Sequence, residues 1–142
     1  MLLSQMVGLS VMSAADATTV GVTDGVVIDP AGRTVAALRL KKTGSGSYLP
    51  WSGVQAIGRD AVMATSGEAL RDVEGDLARL ADASKDLLGK RVLTDAGFDA
   101  GTVRDVDLDP ETGAVLSLHT TQAEIPGAAL LGLGSYAAVV RA

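Results

Sequence analysis

The feature that most constrains this chain is an internal repeat that spans nearly all of its 142 residues. The stretch from Tyr48 to Met63 returns as Ile125 to Val140, with Pro50 matching Pro126, Gly58 matching Gly134 and Ala61 matching Ala137, all at an offset of 76. Further upstream, Val7-Gly8-Leu9-Ser10-Val11 matches Leu88-Gly89-Lys90-Arg91-Val92 at an offset of 81. Gly21 matches Gly101, and Asp29-Pro30-Ala31-Gly32 matches Asp109-Pro110-Glu111-Thr112-Gly113. The offset changes at turns and in the loop after Lys42, where a duplicated fold tolerates a change of length. Two halves of roughly 60–65 residues lie near the lower limit for folding alone. They are therefore expected to pack on each other or on a partner.

Within each half the local pattern is β. Val20 to Ile28 is rich in β-branched residues, and Asp29-Pro30-Ala31-Gly32 has the chemistry of a turn. Thr34 to Leu40 returns as the partner strand of a hairpin, with Val35, Ala37 and Arg39 expected on one face and Ala36, Leu38 and Leu40 on the other. In the second half Thr102 to Leu108 and Val115 to Leu118 form the matching hairpin. Between the halves, Thr65-Ser66-Gly67-Glu68 reads as a capping box, with Thr65 at the N-cap. Leu70, Val73, Leu77, Leu80 and then Leu87 follow at helical spacing, which predicts an amphipathic connector helix over 67–83.

The order of signals is the same twice: Leu/Val-Gly, a Val-containing strand, Gly, a strand ending in Asp-Pro and a nearby Gly, an apolar strand, Pro, an apolar turn, then Gly-x-x-Ala-Val. Leu87-Leu88-Gly89-Lys90-Arg91-Val92 with Val115-Leu116-Ser117-Leu118, and Pro50-Trp51 with Ile57-Gly58-Arg59-Asp60-Ala61-Val62, carry it most closely. This set resembles the PRC-barrel family. That family includes the cytoplasmic domain of the photosynthetic reaction-centre H subunit, the C-terminal domain of the ribosome maturation factor and many stand-alone prokaryotic proteins. The resemblance implies an all-β fold of two small barrels in tandem, related by a pseudo-two-fold duplication, each with five or six short strands. The expected division is a first repeat over 1–66, a connector over 67–84 and a second repeat over 85–142.

Composition narrows the function classes. The net charge of −5 divides into +1 over residues 1–67, −3 over 68–88 and −3 over 89–142. Such a chain is a poor generic nucleic-acid ligand, because that affinity comes from Lys and Arg neutralising phosphates. There is no cysteine, which removes disulfides, thiolate catalysis and Cys-based metal sites. The apolar start at Met1 to Val7 has no Lys or Arg before Arg33, so it lacks the positive region of a signal peptide. No run has the length of a membrane span. The expected location is cytoplasmic.

Reactive constellations are sparse. His119 is the only histidine and stands in no nucleophile motif. One His without Cys is a poor start for a zinc site. Asp105, Asp107 and Asp109 alternate along one strand and, with Glu111, raise the question of divalent ions. They fail the EF-hand pattern, since Pro110 takes the place of its Gly and Leu116 that of its last Glu; a solvated strand face is the simpler expectation. No enzymatic activity, cofactor or metal is expected.

The remaining candidates are contact residues. Trp51 is the only tryptophan, and the second copy has Gly127 in its place, so the barrel itself does not require an indole there. It either caps the core between the halves or forms a binding hot spot, a role in which Trp is enriched. Tyr48 lies beside it, and Lys41-Lys42 opens a Gly/Ser-rich loop that is basic either for solubility or for contact. The resemblance implies a non-catalytic assembly or adaptor module that binds a protein partner through barrel surface and loops, with Lys41, Lys42, Tyr48 and Trp51 as candidate contacts. A ribosome- or RNA-processing-associated role like that of the maturation factor's barrel is one alternative; a small-ligand-binding or stress-related module is another. An unpaired barrel edge could also recruit a second copy and give a homodimer.

Overall fold

The computed structural model describes residues 1–44, 46–72, 75–81 and 86–142. It contains two six-stranded sheets, one per half. The first is built from β1 (Ser10–Ser13), β2 (Thr19–Asp29), β3 (Thr34–Lys41), β4 (Tyr48–Pro50), β5 (Val54–Ile57) and β6 (Ala61–Ala64) in the order β4-β3-β2-β1-β6-β5. The second uses β7 (Arg91–Thr94), β8 (Asp99–Leu108), β9 (Val115–Thr120), β10 (Glu124–Pro126), β11 (Leu130–Leu133) and β12 (Ala137–Val140) in the equivalent order β10-β9-β8-β7-β12-β11.

The repeat holds residue by residue. Ser10 pairs with Ala61 in a parallel ladder, and Arg91 pairs with Ala137 in the other half. Gly25 faces Arg39, and Asp105 faces His119. Leu38 faces Leu49, and Leu118 faces Ile125. Each sheet is curled into a barrel by its connections. The outer strands β4 and β5 are joined only by the 3-10 turn Trp51–Gly53, and β10 and β11 only by Gly127–Ala129. A residue spans at most about 3.6 Å, so three residues keep the end of one outer strand near the start of the other, although among the described residues the two are not paired and the sheet is not closed.

The halves meet about a pseudo-two-fold axis at the Thr34–Ala114 bridge. The Val35 N–H donates to the Gly113 carbonyl at 2.8 Å, and the Val115 N–H donates to the Arg33 carbonyl at 2.9 Å. These bonds are mutual images, and Arg33 and Gly113 both lie in the left-handed region, at φ 53 and 78. The structural partner of Gly113 is thus Arg33; matching glycine to glycine in the sequence places the turn one residue off. One apolar core runs through both halves, from Val11, Leu38, Leu49 and Val62 to Val92, Val106, Leu118 and Leu130. The helix α1 (Leu3–Met6) adds Leu3 and Met6 to this core and packs against both β2 and β8.

Two local expectations change. Val27 pairs with Ala37 and Ile28 with Val35, which leaves Ala36 as an extra residue. This bulge reverses the alternation. Val35 therefore joins Leu38 and Leu40 in the main core, while Ala37 faces a separate cluster with Val27 and Ala81. The connector is also not one helix over 67–83. Ser66, rather than Thr65, caps a 3-10 turn at Gly67–Ala69 by accepting from the Glu68 N–H. Arg71 then forms a bridge with Tyr48, with backbone bonds of 3.0 and 2.7 Å, and an extended bridge residue cannot lie inside a helix. Among the described residues the helix α2 is Gly75–Leu80, with Gly75 at φ 59. Val73 of the predicted stripe, and residues 82–85 around the expected end of the connector, lie outside the described residues.

Candidate interaction site

Trp51 opens the turn that links β4 to β5, and its half-buried indole packs against the main core. It lies over Gly113 of the other half. A Cβ at Gly113 would stand 3.0–3.2 Å from the ring, so the absence of a side chain there seats the indole. The outer face of Trp51 remains in an open cleft of about 400 Å³, lined also by Val54, Gln55, Ala56 and Ile57 of β5 and by Pro110 and Glu111 of the β8–β9 turn. The cleft is therefore a product of both halves. Asp109 Oδ1 accepts from the Glu111 N–H at 2.9 Å, which fixes the turn that presents Glu111. That bond is the largest influence holding the Asp109 carboxyl below its ordinary range. A second hollow of about 430 Å³ adjoins at Ile57 and is lined by Met1, Gln5, Gly58 and Arg59. Among the described residues β5 pairs with no strand on its outer side, and Gln55 and Ala56 are exposed.

The other candidates separate from this site. Tyr48 packs with Ala36, Leu77 and Leu80 around Val27, Ala37 and Ala81, beneath the connector. Lys41 and Lys42 are exposed at the end of β3, with Lys42 at φ 57. The structure thus places Tyr48 and Trp51 in different clusters.

The acidic stripe of β8 serves the fold. The Ser4 N–H and hydroxyl both donate to Asp105, and the N-terminal amino group lies 2.9 Å from Asp107 Oδ1. Burial pushes the Asp105 carboxyl up, but the Ser4 donors and the Val106 N–H outweigh it and hold it below the ordinary value. The stripe carries α1, so the expectation of a freely solvated strand face is replaced for Asp105 and Asp107. In the first half Gly25 and Arg39 take the places of Asp105 and His119, and Arg39 makes a two-pronged pair with Asp86 at 3.0 Å on each prong. Gly25 leaves room for this guanidinium, since a Cβ there would stand 2.6 Å from it. The Asp86 bond is the main reason that the Arg39 pKa is raised.

His119 Nε2 lies 3.2 Å from Ser117 Oγ, and Asp105 stands across the ladder from His119. The residue types suggest a catalytic triad. However, Ser117 is only 7% exposed and the Asp105 oxygens are engaged by Ser4 and Val106. A nucleophile needs an approach path and its base needs a free orienting acid, and this arrangement offers neither. Among the described residues, no helix is long and apolar enough to cross a membrane.

Two curled six-stranded sheets, fused about a pseudo-two-fold axis and carrying an open cleft at their seam, define a tandem small-barrel protein. The PRC-barrel domain profile matches residues 1–71 and again 81–128, and the chain belongs to that family. No curated protein matches the chain.

Proposed function

We propose that the protein is a non-catalytic assembly or adaptor module that binds a protein partner at the Trp51 cleft. The carrying observation is the half-exposed indole, seated on Gly113, beside the uncovered outer edge of β5. A rigid aromatic floor supplies apolar area at little entropic cost, and an open strand edge supplies backbone donors and acceptors for an extended segment. Lys41 and Lys42 are peripheral to this reading, and Tyr48 supports the connector. The cytoplasm of a prokaryotic cell is the proposed setting, from the resemblance to stand-alone members of the family. The test is affinity purification from the producing cells with the intact protein and with Trp51→Ala, each checked for folding by circular dichroism. A partner retained by the first and lost by the second is the expected result. Equal recovery by both would refute the cleft as the binding site.

A further inference from the structure

The two hollows along β5 carry opposite charges at their far ends. Glu111 is exposed beside Trp51, and Arg59 lies beyond Ile57. The Arg59 side chain is 93% exposed, and its ion pair is with the adjacent Asp60 at 3.6 Å, itself 84% exposed. Such a contact holds a side chain weakly. None of these features recurs at the position that matches it in the other half. The residues matching Trp51, Arg59 and Glu111 are Gly127, Ser135 and Ala31. The barrel fold therefore requires neither the charges nor the indole.

We propose that the occupant of this edge is a second copy of the chain, paired antiparallel along β5 about a two-fold axis. This rests on the reading of the Trp51 cleft as a protein-binding site and names its partner. With the axis between Gln55 and Ala56, Val54 of each copy pairs with Ile57 of the other, and Arg59, just past the end of β5, comes to the end of the partner's strand that Trp51–Gly53 precedes, next to Trp51 and Glu111. The guanidinium then lies between an aromatic face and a carboxylate, both of which attract it. The same antiparallel arrangement applies at the other end, so the contact is closed and stops at two copies. Only an antiparallel pair brings the basic end of one edge to the acidic end of the other. Edge pairing also covers the backbone groups that β5 leaves open.

Sedimentation equilibrium over a concentration series reads the proposal directly. The weight-average mass is expected to rise from 14.4 kDa toward twice that value. Arg59→Glu and Glu111→Lys, both at exposed sites, are each expected to weaken association at least tenfold. The double variant Arg59→Glu/Glu111→Lys is expected to restore it, because the exchanged charges again face each other. The emission of Trp51, the only tryptophan, should follow the same concentration dependence. A protein that remains at 14.4 kDa up to about 1 mM would overturn self-pairing, while Trp51-dependent capture of another protein would still stand on its own test. Single variants that dissociate with a double variant that does not recover would overturn the Arg59–Glu111 register.

Discussion

The two halves share their ladders and differ in how they fill equivalent places. At the seam, the first half places Trp51 where the second has Gly127, and Arg33 where the second has Gly113. The indole lies over Gly113, while Arg33 Nε reaches the Leu130 carbonyl at 2.8 Å. On both sides of the axis the first half thus supplies the large group and the second half a glycine at the matching position. The outer faces differ in the same manner. Val27, Ala37 and Tyr48 lie beneath the connector, whereas the matching Asp107, Ser117 and Glu124 are polar. A single connector can cover only one of two related faces, and the sequence is apolar on the face that is covered. Duplication set the frame, and departures from the repeat mark where each half does something separate.

The largest test of this contrast is Gly127→Ala. Its Cβ would fall 1.8 Å from the Val115 carbonyl oxygen, a backbone atom that cannot swing aside. Overpacking of this kind is expected to cost about 3 kcal/mol or more, measured by urea unfolding. The matching position in the first half carries Trp51, so the two halves differ here in tolerance and not in topology. Trp51→Ala should cost about 2 kcal/mol, less than a fully buried tryptophan because the outer face of the ring is already solvated. Gly113→Ala should cost about 1–2 kcal/mol from its left-handed backbone alone, and more while Trp51 is present. In a double-mutant cycle the two changes should therefore be less than additive. Strict additivity would mean that the indole does not rest on Gly113.

Smaller effects separate the two anchors. Arg39→Ala removes the pair with Asp86 and should lower stability by about 1 kcal/mol, with an effect that shrinks in high salt. Asp105→Asn should lower stability at neutral pH and weaken its dependence on pH toward acid. The folded carboxyl titrates below its unfolded value, so its contribution is present above the unfolded pKa and is lost as pH falls through the folded one. The variant should show a shallower acid limb in unfolding curves taken at successive pH values. An unchanged limb would separate Asp105 from the anchoring of α1.

Much of the frame was legible because turns and strands are local. Asp29-Pro30 and Asp109-Pro110 announce the turns, and each Asp accepts from the residue two further on, at 3.0 and 2.9 Å. The repeat then supplied the partner strand for each hairpin. What was hidden depends on contacts far apart in the chain. The bulge at Ala36 changes the face of Ala37, and no local propensity marks it. The stripe of Asp105 and Asp107 read as solvated because its partners, Ser4 and the N-terminal amino group, lie about a hundred residues earlier. Trp51 was visible as an asymmetry between the copies, yet Gly113 and Glu111 could join it only once the halves were fused. Leucine spacing suggested a long connector helix, but the bridge of Arg71 to Tyr48 is a tertiary contact that overrides it.

The central claim is that the halves form one body at the Thr34–Ala114 seam, since the Trp51 cleft exists only there. Native-state hydrogen exchange of the Val35 and Val115 amides tests it most directly. The account predicts that both exchange only through global unfolding, with the same protection as Val11 and Val92 in the central strands. If they exchange far faster while Val11 and Val92 remain protected, the halves open from each other in the native state, and the fused seam is contradicted.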